Sequence, residues 1–224
     1  MNKKIILMNK WKKSMLRAVS LLKNKISNER RETSLKWNVA SESELKNFLI
    51  FCLITPQTRI ENLDKIYKGI KNRKYDFTQS NKDDIYRILN ENKIRFSKNK
   101  FKRIIDFLDS DISIKDVLSK LSFLTNKGLR EDRWTRSILM YEVGGLGPKT
   151  SSLFLMDVSF CKNLAILDSR NFSFMKQVGL ISNDAKTSVL QDLKIYEKIE
   201  EWENELAKKL KINTWTLDGV IIYY

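Results

Sequence analysis

Apolar positions recur at helical spacing along most of the chain. From Ser41 the sequence runs Ser-Glu-Ser-Glu, a serine cap answered three residues later by a glutamate, then Leu-Lys-Asn-Phe-Leu-Ile-Phe-Cys-Leu-Ile54. So dense an apolar run predicts a largely buried helix. It should stop at Thr55-Pro56, because the residue before a proline avoids the helical region. A second helix is expected over 58–71, with Ile60, Leu63, Ile66, Tyr67 and Ile70 at helical spacing. Further amphipathic helices are expected over 82–89, 98–108, 114–121 and 134–141, with a polar loop from Tyr75 to Asn81. Residues 195–210 set Ile199, Trp202, Leu206 and Leu210 on one face and leave Glu and Lys on an exposed side at supporting spacings. The aromatic tail from Trp215 should pack against the body, although 218–224 also reads as a strand. No repeat or low-complexity tract interrupts this pattern, and the expected class is all-α.

Composition sharpens the picture. The 224 residues include only 7 Gly and 2 Pro, which favours long uninterrupted elements. At 42% hydrophobic the chain can build a core as one large domain or two small lobes sharing a cleft. A basic N-terminal segment, 1–34, is set apart from a helical domain over 35–224; a surface-seeking or targeting role for that segment stays open. No stretch approaches the roughly 20 apolar residues of a spanning helix, so no membrane partner is expected. The net charge of +15 points to a polyanionic partner. Cys52 and Cys161 are too few for a cysteine cluster, and histidine is absent, which excludes any histidine base and removes the commonest metal ligand. Neither metal nor cofactor is expected. Cys52, inside an apolar run, reads as a buried thiol in a reducing, cytoplasmic setting, nucleoid-associated if the cell is prokaryotic.

The chemistry concentrates in Tyr141-Glu-Val-Gly-Gly-Leu-Gly-Pro-Lys-Thr150. One helix ends near Tyr141 and the next starts at Pro148, which suits a first helical turn. Glycines between them allow positive φ and close approach of another backbone. The expected product is a helix-hairpin-helix over about 134–159, with Leu146 plugging the gap between the helices and Gly145 and Gly147 at an anion site formed by a helix N-terminus. A plain αα-turn has the same composition. Asp168 follows Lys149 by 19 residues, after an apolar stretch and before a helix that 169–178 can form. A helix cap explains that aspartate as readily as chemistry does, and one carboxylate can serve both.

Gly-Leu-Gly-Pro-Lys149 with Leu167-Asp168 at this spacing resembles the helix-hairpin-helix, Gly/Pro-loop and aspartate superfamily of DNA glycosylases. The fuller string through Leu164-Ala-Ile-Leu-Asp-Ser-Arg-Asn-Phe172 is similar to the compact second branch of 8-oxoguanine DNA glycosylase/AP lyases. Leu53-Ile-Thr-Pro-Gln-Thr58, Ile94-Arg-Phe-Ser-Lys-Asn-Lys100 and Thr216-Leu-Asp-Gly219 share the likeness. The resemblance implies two helical lobes flanking a DNA-binding cleft, a monomer, and damaged double-stranded DNA as partner. It implies Lys149 as nucleophile and Asp168 as its carboxylate partner. Two departures stand out: Ser169-Arg170-Asn171 follows the aspartate where relatives carry Arg-His, and no lysine follows Trp215 toward the C-terminal end.

A target base must leave the duplex before such an enzyme can reach it. A neutral lysine amine then attacks the sugar C1′, the base departs, and the Schiff base permits β-elimination. The start of a helix disfavours the ammonium form, whereas Asp168 opposes that shift but can stabilise developing positive charge. Base-pocket candidates are Gln57, whose amide donates and accepts, Phe96 and Trp215, which can stack on a base or pack in the core, and Asp218. Lys98, Lys100 and Lys102 are candidates for phosphate contact, and a solvated helix face explains them equally. Two other readings remain: a non-catalytic helix-hairpin-helix DNA-binding module, and a glycosylase for a different base that forms no Schiff base.

Overall fold

The computed structural model describes residues 17–21, 35–125, 128–177 and 181–223, so the basic segment before Leu35 lies almost wholly outside the described residues. Every regular element among those residues is helical: α1 Glu42–Ile54, α2 Ile60–Lys71, α3 Lys82–Glu91, α4 Ser97–Leu108, α5 Ile114–Leu124, α6 Leu129–Glu142, α7 Pro148–Asp157, α8 Ser169–Gln177, a 3₁₀ turn Thr187–Gln191, α9 Leu193–Leu210 and α10 Thr214–Tyr223. The strand reading of 218–224 fails for 218–223, which α10 takes up. Leu217, Val220 and Ile221 are buried at i, i+3 and i+4, a helical period.

The chain divides into two compact units. One contains 35–125 and 134–160. Its centre is α1, whose Leu45, Leu49, Ile50, Cys52 and Ile54 are buried, and which packs against α2, α4, α5 and α7. The capping box at its start is formed: Ser41 Oγ accepts from the Glu44 amide at 3.2 Å, and Glu44 Oε2 accepts from the Ser41 amide at 2.8 Å. Glu42 does more than decorate the first turn, because its carboxylate accepts from the amides of Ile114 and Lys115 at 2.9 and 2.8 Å and so caps α5. The 75–81 loop is held on α1 by buried Asn47, whose side chain donates to Asp76 and accepts from the Phe77 amide, both at 2.8 Å.

The other unit contains 17–21, 128–133 and 161–223 among the described residues. Here α10 packs against α8 and α9, over a core of Phe174, Ala207, Leu210, Leu217, Val220 and Ile221. The expected exposed side of α9 requires correction. Glu200 and Glu203 are both 0% exposed, whereas Ile199, Trp202 and Leu206 are only half-buried. Arg133 accounts for the first acid: its Nε donates to Glu200 Oε2 at 2.8 Å and its Nη1 to exposed Glu201 at 2.9 Å. Helix α6 runs from this unit into the other after Arg133.

Candidate active site

The hairpin forms where the glycines require it. Helix α6 ends at Glu142, Gly145 takes φ +84°, and α7 starts at Pro148. A side chain at Gly145 would be strained by its backbone, though not by crowding. Leu146 is buried, as a plug between the two helices should be. Gly147 is the N-cap of α7, in extended conformation, and has no side chain with which to cap it. A helix start leaves amide groups beyond its own hydrogen-bond ladder, and they favour negative charge in front of them. A Cβ built on Gly147 meets nothing within 4 Å among the described residues.

Lys149 is half-buried in the first turn of α7, one residue after Pro148. Asp168 is half-buried at the start of α8, where its Oδ1 accepts from the amides of Arg170 and Asn171 at 2.7 and 3.2 Å. The capping role read from sequence is therefore present. Lys149 and Asp168 belong to different units, and each is fixed within its own.

The remaining candidates separate sharply. Gln57 is exposed and takes φ +57°, a left-handed conformation uncommon outside glycine. The buried lysine Lys100 sets this turn: its Nζ donates to the carbonyl oxygens of Ile54 and Pro56 and to Thr58 Oγ1, at 2.7, 2.6 and 2.7 Å. Lys100 is thus no phosphate ligand, because all three ammonium hydrogens are used inside the protein. Burial, and secondarily Arg103, lowers its pKa to about 8. Lys98 and Lys102 remain exposed. Phe96 is 52% exposed at φ +57°, with the Arg95 guanidinium 5.0 Å from its ring centroid, which removes the core-packing reading. Trp215 is half-buried on α10.

Asp218 does not line a base pocket. It is 1% exposed, and its two oxygens accept from the Ile166 amide at 3.0 Å and from Asn171 Nδ2 at 2.8 Å. Sequence reasoning missed Arg103, whose side chain lies beside the hairpin, 3.5 Å from where a Gly145 Cβ would stand. Its signal was present: Arg103 follows Lys100 by three residues and shares a helix face with it. Among the described residues no group of three or more His, Cys, Asp or Glu could hold a metal ion, and no helix is long and apolar enough to cross a membrane.

An all-helical chain with a Gly-Leu-Gly-Pro-Lys hairpin and a capping aspartate downstream has the architecture of a helix-hairpin-helix DNA glycosylase. The family model described as 8-oxoguanine DNA glycosylase matches residues 26–212, and the chain belongs to that family. It is 26% identical over 189 residues to an 8-oxoguanine DNA glycosylase/AP lyase of Fusobacterium nucleatum subsp. nucleatum, covering 84% of this chain and 82% of that one. A Korarchaeum cryptofilum protein of the same description is 24% identical over 183 residues, covering 82% and 80%. In fold the chain is similar to the 8-oxoguanine DNA glycosylase of Thermotoga maritima, with a TM-score of 0.79, 21% identity and 96% of each chain covered. It is also similar to the Methanocaldococcus jannaschii 8-oxoguanine glycosylase/lyase in complex with 15mer DNA containing 8-oxoguanine, with a TM-score of 0.77 and 20% identity over 94% of this chain and 96% of that one.

Proposed function

We propose that this chain excises 8-oxoguanine from duplex DNA and then cuts the strand, with Lys149 as the nucleophile and Asp168 as the carboxylate that assists it. The observation that carries the reading is the placement of Lys149 in the first turn of α7, directly behind the glycine hairpin, in a chain of this family. The hairpin amides and Arg103 receive backbone phosphate, and exposed Lys98 adds charge. Gln57, on its braced turn, and the exposed ring of Phe96 are offered to the flipped base, with Trp215 as a further stacking surface. The chain acts as a monomer, in the cytoplasm or on the nucleoid of a prokaryotic cell.

The reaction follows from amine chemistry. The neutral Lys149 Nζ forms a bond to C1′, and the glycosidic bond breaks with its electron pair leaving on the base, which takes up a proton. Opening of the sugar ring then leaves an iminium between Nζ and C1′. The iminium acidifies the C2′ hydrogen; its loss expels the 3′ phosphate and cuts the strand on that side. Asp168 stabilises the positive charge that grows on the sugar as the base departs. With no histidine in the chain, the released base is the available proton carrier.

Borohydride reduction of the iminium on an 8-oxoguanine duplex tests the assignment. Wild type should be trapped covalently, Lys149→Gln should bind but give no adduct, and Asp168→Asn should slow trapping. An adduct that persists in Lys149→Gln would show that another amine does the chemistry. Base release without trapping would establish a glycosylase that forms no Schiff base.

A further inference from the structure

We propose that Glu203 is a positioning residue for Asp168, acting through the Asn171 amide that it shares with Asp218. This rests on the assignment of Asp168 above. Glu203 is 0% exposed on α9. Its Oε1 accepts from Asn171 Nδ2 at 3.1 Å, and the same nitrogen donates to Asp218 Oδ1 at 2.8 Å. A primary amide has two hydrogens, so these two carboxyl groups consume both. Asn171 must therefore turn its Oδ1 the other way, where it faces the backbone amide of Asp168 at 3.4 Å. The Asn171 backbone N–H in turn donates to Asp168 Oδ1 at 3.2 Å. Two buried acids thus determine which way the Asn171 side-chain amide points, and its oxygen faces the backbone of the candidate catalytic residue, while the Asn171 backbone N–H holds that residue's carboxylate independently.

The other Glu203 oxygen, Oε2, is buried with no hydrogen-bond partner. A carboxylate cannot leave an oxygen so exposed to low dielectric, whereas a neutral acid can. Acidic neighbours surround it: Asp218 from α10, Glu200 one turn earlier on α9, and Asp168 from the segment before α8. Arg133 from α6 is committed to Glu200 and Glu201. Burial first, then the Asp218 charge, push the Glu203 carboxyl well above the usual range, which favours its protonated form. Asp218 is held by Asn171 and the Ile166 amide, which donate to its two oxygens. A packed leucine would fill the Glu203 site but would leave the second Asn171 hydrogen without an acceptor, and the amide orientation unspecified.

Two variants, with a third in reserve, and four readings test this. The infrared spectrum of wild type at neutral pH should contain a protonated-carboxyl stretch that is absent from Glu203→Gln. Glutamine keeps a neutral oxygen in place, so this variant should retain the Asp168 and Asn171 backbone amide resonances and a near-wild-type trapping rate. Asn171→Asp sets a third acid against the other two. It should move those resonances and slow single-turnover trapping by about 100-fold, as a misplaced group does, with DNA affinity unchanged. Absence of the infrared band overturns the protonated acid. An Asn171→Asp enzyme with wild-type trapping, or one that loses affinity in step with rate, overturns the positioning role. Should Asn171→Asp fail to fold, Glu203→Leu takes its place with the same expectations. A wild type that never traps defeats the proposed function instead, while the infrared and amide readings still decide on Glu203.

Discussion

Three lysines show how completely surroundings decide what an amine can do. Lys98 is exposed and available to phosphate; Lys149 is half-buried in the first turn of a helix; Lys100 is buried and spends its hydrogens on the Ile54–Thr58 turn. The string Ile94-Arg-Phe-Ser-Lys-Asn-Lys100 could not separate the first from the third, because the acceptors of Lys100 lie more than forty residues earlier. Asp218 was misread for the same reason: its donors, Ile166 and Asn171, are distant in sequence. The state of Lys100 makes a testable difference. Its pKa falls from 10.5 to about 8, mainly because burial penalises the ammonium. Between those values the unfolded chain binds a proton that the folded chain has released, so stability rises with pH across the window. Below about pH 8 the cost is fully present, at most about 3 kcal/mol, and it is gone above about pH 10.5. Denaturant melts near pH 8 and near pH 10 should show this rise in wild type relative to Lys100→Met. Equal pH slopes in the two proteins would mean that Lys100 titrates normally.

At the scale of elements, the sequence was most informative where periodicity and end signals agreed. The Ser41 capping box and the helix start at Pro148 are formed as expected; α1 does end at Ile54, but Thr55 before Pro56 keeps right-handed helical backbone at φ −56° and ψ −43°, so avoidance of that region is not what stops it. Face assignment on α9 failed, because Glu200 and Glu203 follow the spacing of an exposed charged stripe yet are buried against groups from α6 and α8. Periodicity ranks positions by side-chain polarity, and a paired or protonated buried acid violates that ranking. Within the hairpin the glycines should part company under mutation. Gly145→Ala forces a side chain into left-handed backbone, at a cost of about 1 kcal/mol or more, and should lower the melting temperature. Gly147→Ala has open space and an extended backbone, so the fold should tolerate it. On the proposed reading a methyl there would stand in the way of a phosphate at the first turn of α7, so DNA affinity should fall while stability holds. If both variants lose affinity only in proportion to stability, the hairpin is a structural turn and not an anion site.

At the scale of the whole molecule, charge and fold carry different information. The net charge of +15 pointed to a polyanion without locating the contact, and the division into two units was not legible from composition because both are built from non-contiguous stretches and share α6. The structure supplies the missing distinction between cations that face solvent and those consumed internally. Lys98, Lys102 and Arg103 are exposed, whereas Lys100 and Arg136 are buried. Only the first kind can displace counterions from DNA, so the salt dependence of binding should sort them. With Lys149→Gln, which on the proposed mechanism should bind without turning over, the logarithm of the association constant for an 8-oxoguanine duplex should fall linearly with the logarithm of salt concentration. Each phosphate neutralised contributes a slope of about −0.9. Arg103→Gln and Lys98→Gln, each made in that background, should reduce the steepness by roughly one contact apiece. Lys100→Met should leave the slope as it was, because its ammonium never leaves the protein, even if the turn carrying Gln57 loosens and affinity drops at every salt concentration. A slope insensitive to Arg103 would move the phosphate contact away from the hairpin, and a flat line for the parent would remove duplex DNA as the partner.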